Sequence, residues 1–128
     1  MRIKRFKMGQ SKKTTKTSKA TTTNSSPTIL QSIPIKPNRV YGIRTIVLAK
    51  RTGGSSGDDF DSAMYVFNTM YNTHLGILNV HEVTSDKVEY KPTWDASMTT
   101  SGSNAVVQVT GAAGSNIDWQ CTSEITYV

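Results

Sequence analysis

From Ile117 to the last residue, apolar and polar positions alternate almost without a break. Ile117, Trp119, Cys121, Ser123, Ile125 and Tyr127 fall on one side of an extended backbone. Asp118, Gln120, Thr122, Glu124 and Thr126 fall on the other. A period of two is the signature of a strand with one buried and one wet face. The valine-rich stretch 104–110 precedes it, and Gly111 and Gly114 bracket the link, where a tight reversal requires positive φ. The pattern predicts a closing β-hairpin over residues 104–128, with Val107, Val109, Ile117, Trp119, Cys121 and Ile125 in the core. Two strands bury too little surface to hold alone, so the rest of the chain must supply an opposing sheet.

Upstream, residues 40–51 read as a strand with Tyr41, Ile43, Val47 and Ala49 on one face. Arg44, Ile46, Leu48 and Lys50 mix on the other, which implies partial burial on both sides. Residues 52–59 are a Gly/Ser/Asp loop. In residues 60–71 Ala63, Met64, Phe67 and Met70 also fit a helical stripe, but the aromatic and β-branched content favours a strand. Asn72-Thr73 reads as a turn, residues 75–84 as a strand and Ser85-Asp86 as a second turn. Val88, Tyr90 and residues 94–100 add one or two strands. Six or seven short strands with turns about every ten residues predict an all-β fold, a small antiparallel β-sandwich of jelly-roll-like form.

Charge divides the chain. Residues 1–39 hold ten Lys/Arg and no acid; residues 40–128 hold five basic and nine acidic side chains. The two parts carry +10 and −4, which sum to the net +6. Residues 1–26 are a basic arm, and of the 18 positions from Ser11 to Thr28 eleven are Ser or Thr. So few apolar groups at so high a charge predict disorder in isolation. Residues 27–39 differ: Ile29, Leu30, Ile33 and Ile35 are interspersed with prolines that hold an extended backbone. They read as a strap that lies along a surface, the chain's own or a neighbour's, with docking on a partner as its expected role. Residues 40–128 form the sandwich domain.

Few stretches point to chemistry. His74 and His81 with Cys121 are too widely spaced for a zinc site, and the lone cysteine on the inward face reads as a small buried hydrophobe. Asp58, Asp59 and Asp61 lack the distal glutamate of a calcium loop. Gly53-Gly54-Ser55-Ser56-Gly57 lacks the Lys-Ser/Thr ending of a phosphate loop. Trp94, Trp119, Tyr65, Tyr71, Tyr90 and Tyr127 are needed to fill the interior of so small a sandwich rather than to stack sugars or bases. With no converging acid, base and nucleophile, the expectation is no enzyme and no cofactor. One cysteine means a fold that does not rely on disulfides. No stretch approaches the roughly 20 apolar residues of a membrane helix, and no secretory or clear transit signal precedes the body. Folding in the cytoplasm is the simpler expectation.

The arm is the sharpest functional feature. Arg2, Lys4, Arg5, Lys7, Lys12, Lys13, Lys16 and Lys19 suit an acidic protein surface or a nucleic acid bound without regard to sequence.

The stretch Val107-Gln-Val-Thr-Gly-Ala-Ala-Gly-Ser-Asn-Ile-Asp-Trp-Gln-Cys121 resembles the C-terminal strand pair of small β-sandwich domains in tailed-phage and other large-virus structural proteins. The resemblance extends over residues 40–128, through Trp94-Asp95 and the loop at 53–57, and leaves out the first 39 residues. It implies a virion structural protein: a fibre, decoration (cement) or minor capsid component. It implies as partners other virion proteins, of the capsid or tail, and copies of the chain itself, with packaged nucleic acid as a further partner of the arm and no membrane. Two alternatives remain beside it: a nucleic-acid-binding module acting through the arm, and a carbohydrate-binding adhesin.

Overall fold

The computed structural model describes residues 12–90 and 94–128. They form eight strands: β1 (Lys12–Thr22), β2 (Thr28–Pro34), β3 (Val40–Gly54), β4 (Ser62–His74), β5 (Ile77–Tyr90), β6 (Asp95–Ser101), β7 (Asn104–Thr110) and β8 (Ser115–Tyr127). Every pairing is antiparallel. The strands build two sheets, β1-β8-β3-β4-β5 and β2-β7-β6. The fold is the small antiparallel sandwich that the alternation implies, divided five strands against three. Strands of the larger sheet run 11 to 15 residues and those of the smaller only 7, so the larger sheet projects past its cover.

The closing strands correct the hairpin expectation. β7 lies between β2 and β6, while β8 lies between β1 and β3 in the opposite sheet. Residues 111–114 therefore cross the sandwich instead of reversing within one sheet. The crossing sets the apolar faces of β7 and β8 against each other across one core, whereas strands side by side would share a face and leave it uncovered. Val107, Val109, Ile117, Trp119, Cys121 and Ile125 all belong to that buried cluster. Gly111 sits at the crossing, where a Cβ would lie 2.6 Å from Thr22 Oγ1.

The first strands correct the arm and strap expectations. Residues 1–11 lie outside the described residues, but Lys12–Thr22 is an edge strand in unbroken register with β8, from Lys12 opposite Tyr127 to Thr22 opposite Ile117. Threonine suits a half-exposed pleated surface. The ladder supplies what the sparse apolar content does not. The strap belongs to the smaller sheet, and Leu30, Ile33 and Ile35 are buried in the chain's own core, leaving Ile29 half-exposed. A bulge between Ile29 and Gln31 is the cause, because an extra residue turns Leu30 and Gln31 both inward.

Gln31 brings a polar side chain into the core with all its groups matched. Ser123 Oγ donates to Gln31 Oε1 at 2.6 Å, and Gln31 Nε2 donates to Ser18 Oγ at 3.0 Å and to Lys16 O at 3.2 Å. With the Ser123 proton committed, Thr45 Oγ1 is the donor in its 2.7 Å contact with Ser123 Oγ. The network pins β2 across β1, β8 and β3. Trp119 anchors the apolar part: its ring stacks on Tyr65 at 6.5 Å, meets Trp94 at 5.9 Å, and its Nε1 donates to Thr22 Oγ1 at 2.9 Å.

Three smaller differences follow from ladder continuity. β4 runs through Asn72-Thr73 to a turn at Leu75-Gly76, and β5 passes straight through Ser85-Asp86, with a bulge in its register to β4 between Asn68 and Met70. β3 is buried on one side only, because nothing covers the outer face of the larger sheet among the described residues.

Candidate functional site

That outer face is built by the register of β3, β4 and β5. Leu48 stands opposite Met64, and Met64 opposite Val88; Ile46 stands opposite Val66 one pleat away. Tyr90 follows two residues after Val88 on the same face. Directly opposed side chains in neighbouring strands touch, so these positions form one patch instead of scattered apolar residues. Leu48 is 51% exposed, Val88 62%, Tyr90 59%, Met64 39% and Ile46 37%. Cross-strand neighbours Arg44 and Glu124, and Lys50 and Asp118, border it with paired opposite charges.

The lysines of β1 are divided by the same alternation. Lys12 and Lys16 stand opposite Tyr127 and Ser123, on the inward side; Lys13 and Lys19 stand opposite Thr126 and Gln120, on the outward side. Lys16 Nζ donates to Ser32 O at 2.6 Å, clasping β1 to β2. Arg2, Lys4, Arg5 and Lys7 lie outside the described residues. Lysines on an uncovered edge also discourage unplanned strand pairing.

At one end of the sandwich the acidic and glycine-rich loops organise each other. Arg51 is the hub: Nε donates to Ser56 O at 2.8 Å, Nη2 to Gly54 O at 2.9 Å, and Nη1 meets Asp59 Oδ1 at 3.3 Å. Asp61 is buried, and its Oδ2 accepts from the Asp58 backbone N–H at 2.9 Å. Ser56 N–H donates to Gly114 O and Ser115 Oγ donates to Ser56 O, so the Gly53–Gly57 backbone is engaged with the β7–β8 crossing. Gly54 holds φ 108°, and a Cβ there would run into the Gly114 carbonyl.

At the opposite end, His74 and His81 come together in an open cleft of about 540 Å³ with Asn38, Arg39, Asn72 and Asn79. Cys121 is not part of it; it is fully buried on β8. Of the aromatics read as core, Trp94, Trp119, Tyr65 and Tyr71 are buried, Tyr127 is half-buried beneath Arg39, and Tyr90 faces out.

No protein-family profile and no curated protein sequence matches the chain. Among solved structures, the Acinetobacter phage vB_ApiP_P1 tailspike protein is similar at 15% identity and a TM-score of 0.40, over 94% of this chain and 24% of the tailspike. A subunit of Bacillus endospore appendages, described as disulfide-linked pili, is similar at 12% identity and a TM-score of 0.32, over 100% of this chain and 98% of that one. The chain thus spans about a quarter of the length of the tailspike, at 24%.

Sequence reasoning missed both the outer patch and the cleft, because each depends on which strands become neighbours. Burial also sets an alkaline limit. It pushes the Cys121 thiol up from 9.0 to about 11 and the Tyr71 phenol up from 10.0 to about 12. Between those values the unfolded chain releases protons that the folded chain keeps. Their contribution to stability is therefore intact below pH 9 and falls as pH rises through 12. At pH 8, iodoacetamide is expected to alkylate native Cys121 at least about 100-fold more slowly than the urea-unfolded chain. Equal rates would show that the site opens.

Proposed function

We propose that the chain is a non-enzymatic structural component of a virus particle, assembled through the outer face of its larger sheet against neighbouring subunits. The exposed patch around Leu48, Met64 and Val88 carries the reading. Contiguous apolar surface on a folded domain marks a contact surface, whereas isolated exposed apolar residues do not. The resemblance of residues 107–121 to virion sandwich domains supplies the setting. Burying the four half-exposed side chains Leu48, Met64, Val88 and Tyr90 contributes about 3–6 kcal/mol gross. Association costs roughly 4–15 kcal/mol in lost freedom, so one such contact is weak and many copies acting together are needed. The lysine-bearing β1 edge adds attraction to acidic neighbours. Its division between two faces favours that role over a single groove tracking phosphates.

Mass spectrometry of virus particles purified from the source culture tests the setting. Peptides of this chain among the particle proteins are expected; finding them only in the lysate would overturn it. The surface has its own test. Leu48→Lys with Val88→Lys should leave the fold within about 0.5 kcal/mol of wild type, since both sites are exposed. It should abolish the concentration-dependent self-association or particle incorporation of the wild type. An unchanged sedimentation profile and normal incorporation would rule the patch out.

A further inference from the structure

We propose that copies of this chain join flank to flank, the β5 edge of one accepting the β1 edge of the next, in a staggered, open-ended row. The larger sheet ends in β1 on one side and β5 on the other, and each of these has a strand neighbour on one side only. The two flanks differ in charge. β1 carries Lys12, Lys13, Lys16 and Lys19 and no acid, and β2, which β1 clasps, carries no charge. β5 carries the carboxylates of Asp86 and Glu89 with Lys87 between them, and neighbouring β6 begins at Asp95. β5 runs 14 residues without a proline, so little blunts it as an edge. The contact is separate from the outer face of the larger sheet. It rests on the assembly reading only in taking copies of the chain to be neighbours.

Strand direction and charge together fix the arrangement. Each step across the sheet is antiparallel, so β1 and β5, at its two ends, run the same way. A second copy set alongside without reversal therefore meets β5 with a parallel β1, its smaller sheet on the same side. Lys13 and Asp86 lie on the outward face, opposite Thr126 and Val66; Lys16 and Glu89 lie on the inward face, opposite Ser123 and Ala63. The two lysines and the two acids have the same spacing along their strands. One shift thus sets Asp86 beside Lys13 and Glu89 beside Lys16, each pair on its own face. Opposite charges on neighbouring strands attract and like charges repel, so the same lysines discourage β1 from meeting another β1. The inward pair keeps capacity for the contact. Lys16 Nζ gives one of its three protons to Ser32 O, and the Glu89 carboxylate, held by Tyr65 Oη at 2.7 Å, has further acceptor positions. Within one copy Lys13 is level with His81, through Thr126, Gly42 and Met70. Placing it beside Asp86 displaces each copy along the strands by about four residues, or roughly 13 Å. A contact between two different edges that rises at each step does not close into a ring.

The experiment is sedimentation velocity of the full chain over a range of concentrations, at ~20 mM and ~500 mM salt. Species larger than a dimer are expected at low salt, and their loss at high salt. Lys13→Glu and Asp86→Lys change exposed positions, so each should keep the wild-type melting temperature. Each alone should weaken the association at least about ten-fold. An equimolar mixture of the two should restore it, because every reversed charge then finds its opposite. The register has its own readout. Thr15→Cys with Val88→Cys places the two thiols beside each other between copies, whereas within one copy they lie four strands, roughly 19 Å, apart. Oxidation of that variant should give a ladder of covalent oligomers. Monomers at low salt would overturn the proposal. So would a series that stops at dimers, no rescue in the mixture, or assembly that requires added DNA. Leu48→Lys with Met64→Lys, on the outer face, should keep the salt-sensitive series; its loss there would assign the contact to that face instead.

Discussion

Removing residues 1–39 is expected to leave a chain with no cooperative unfolding transition. A disordered tether would be dispensable, but these residues contain β1 and β2. Their loss uncovers one edge of β8 along 11 register positions and one edge of β7. It also takes Leu30, Ile33 and Ile35 out of the core, worth roughly 4–9 kcal/mol by burial alone. Whole domains are stable by only about 5–15 kcal/mol. Differential scanning calorimetry of residues 40–128 is the check. A sharp transition near that of the full chain would show that the first two strands are accessory.

Trp119→Ala is expected to be the most damaging single substitution, costing about 3–5 kcal/mol. The indole is 1% exposed, contacts Tyr65 and Trp94, and donates to Thr22. Its loss opens a cavity between the sheets and leaves the Thr22 hydroxyl without that partner. For a chain of this size the melting temperature should fall by roughly 10–20 °C. Trp119→Phe should lose less, because most of the volume and the stacking face survive. A drop within 2 °C for the alanine variant would mean that the aromatic cluster is not the anchor.

How much of this was legible depended on the range of the signal. The alternation in residues 117–127 predicted both strand and buried face, since side-chain direction along one strand is a local property. The pairing partners of that strand were not legible. Nothing local in residues 111–114 distinguishes a reversal from a crossing, and the partners of Trp119 on either side of β8, Ala20 and Ala49, lie far back in the chain. The Thr/Lys stretch 12–22 was read as unstructured because it carries little apolar surface; as an edge strand it needs little. The bulge at Leu30-Gln31 hid the strap's allegiance by breaking its period. His74 and His81 were weighed for a metal and dismissed on spacing, a one-dimensional test for a cleft that only the hairpin assembles.

The pairing of the first described strand with the last has a consequence for synthesis. Because Lys12 finds its place only beside Tyr127, the larger sheet cannot be completed while the ribosome is still making residues 115–127. Until then the nascent chain exposes the side of β3 that later receives β8, along a ladder from Tyr41 to Gly54. Such high contact order makes slow folding the rule and gives chaperones a long window in which to bind. Emergence of residues 115–127 from the ribosome, rather than of any earlier element, is the event that closes the fold.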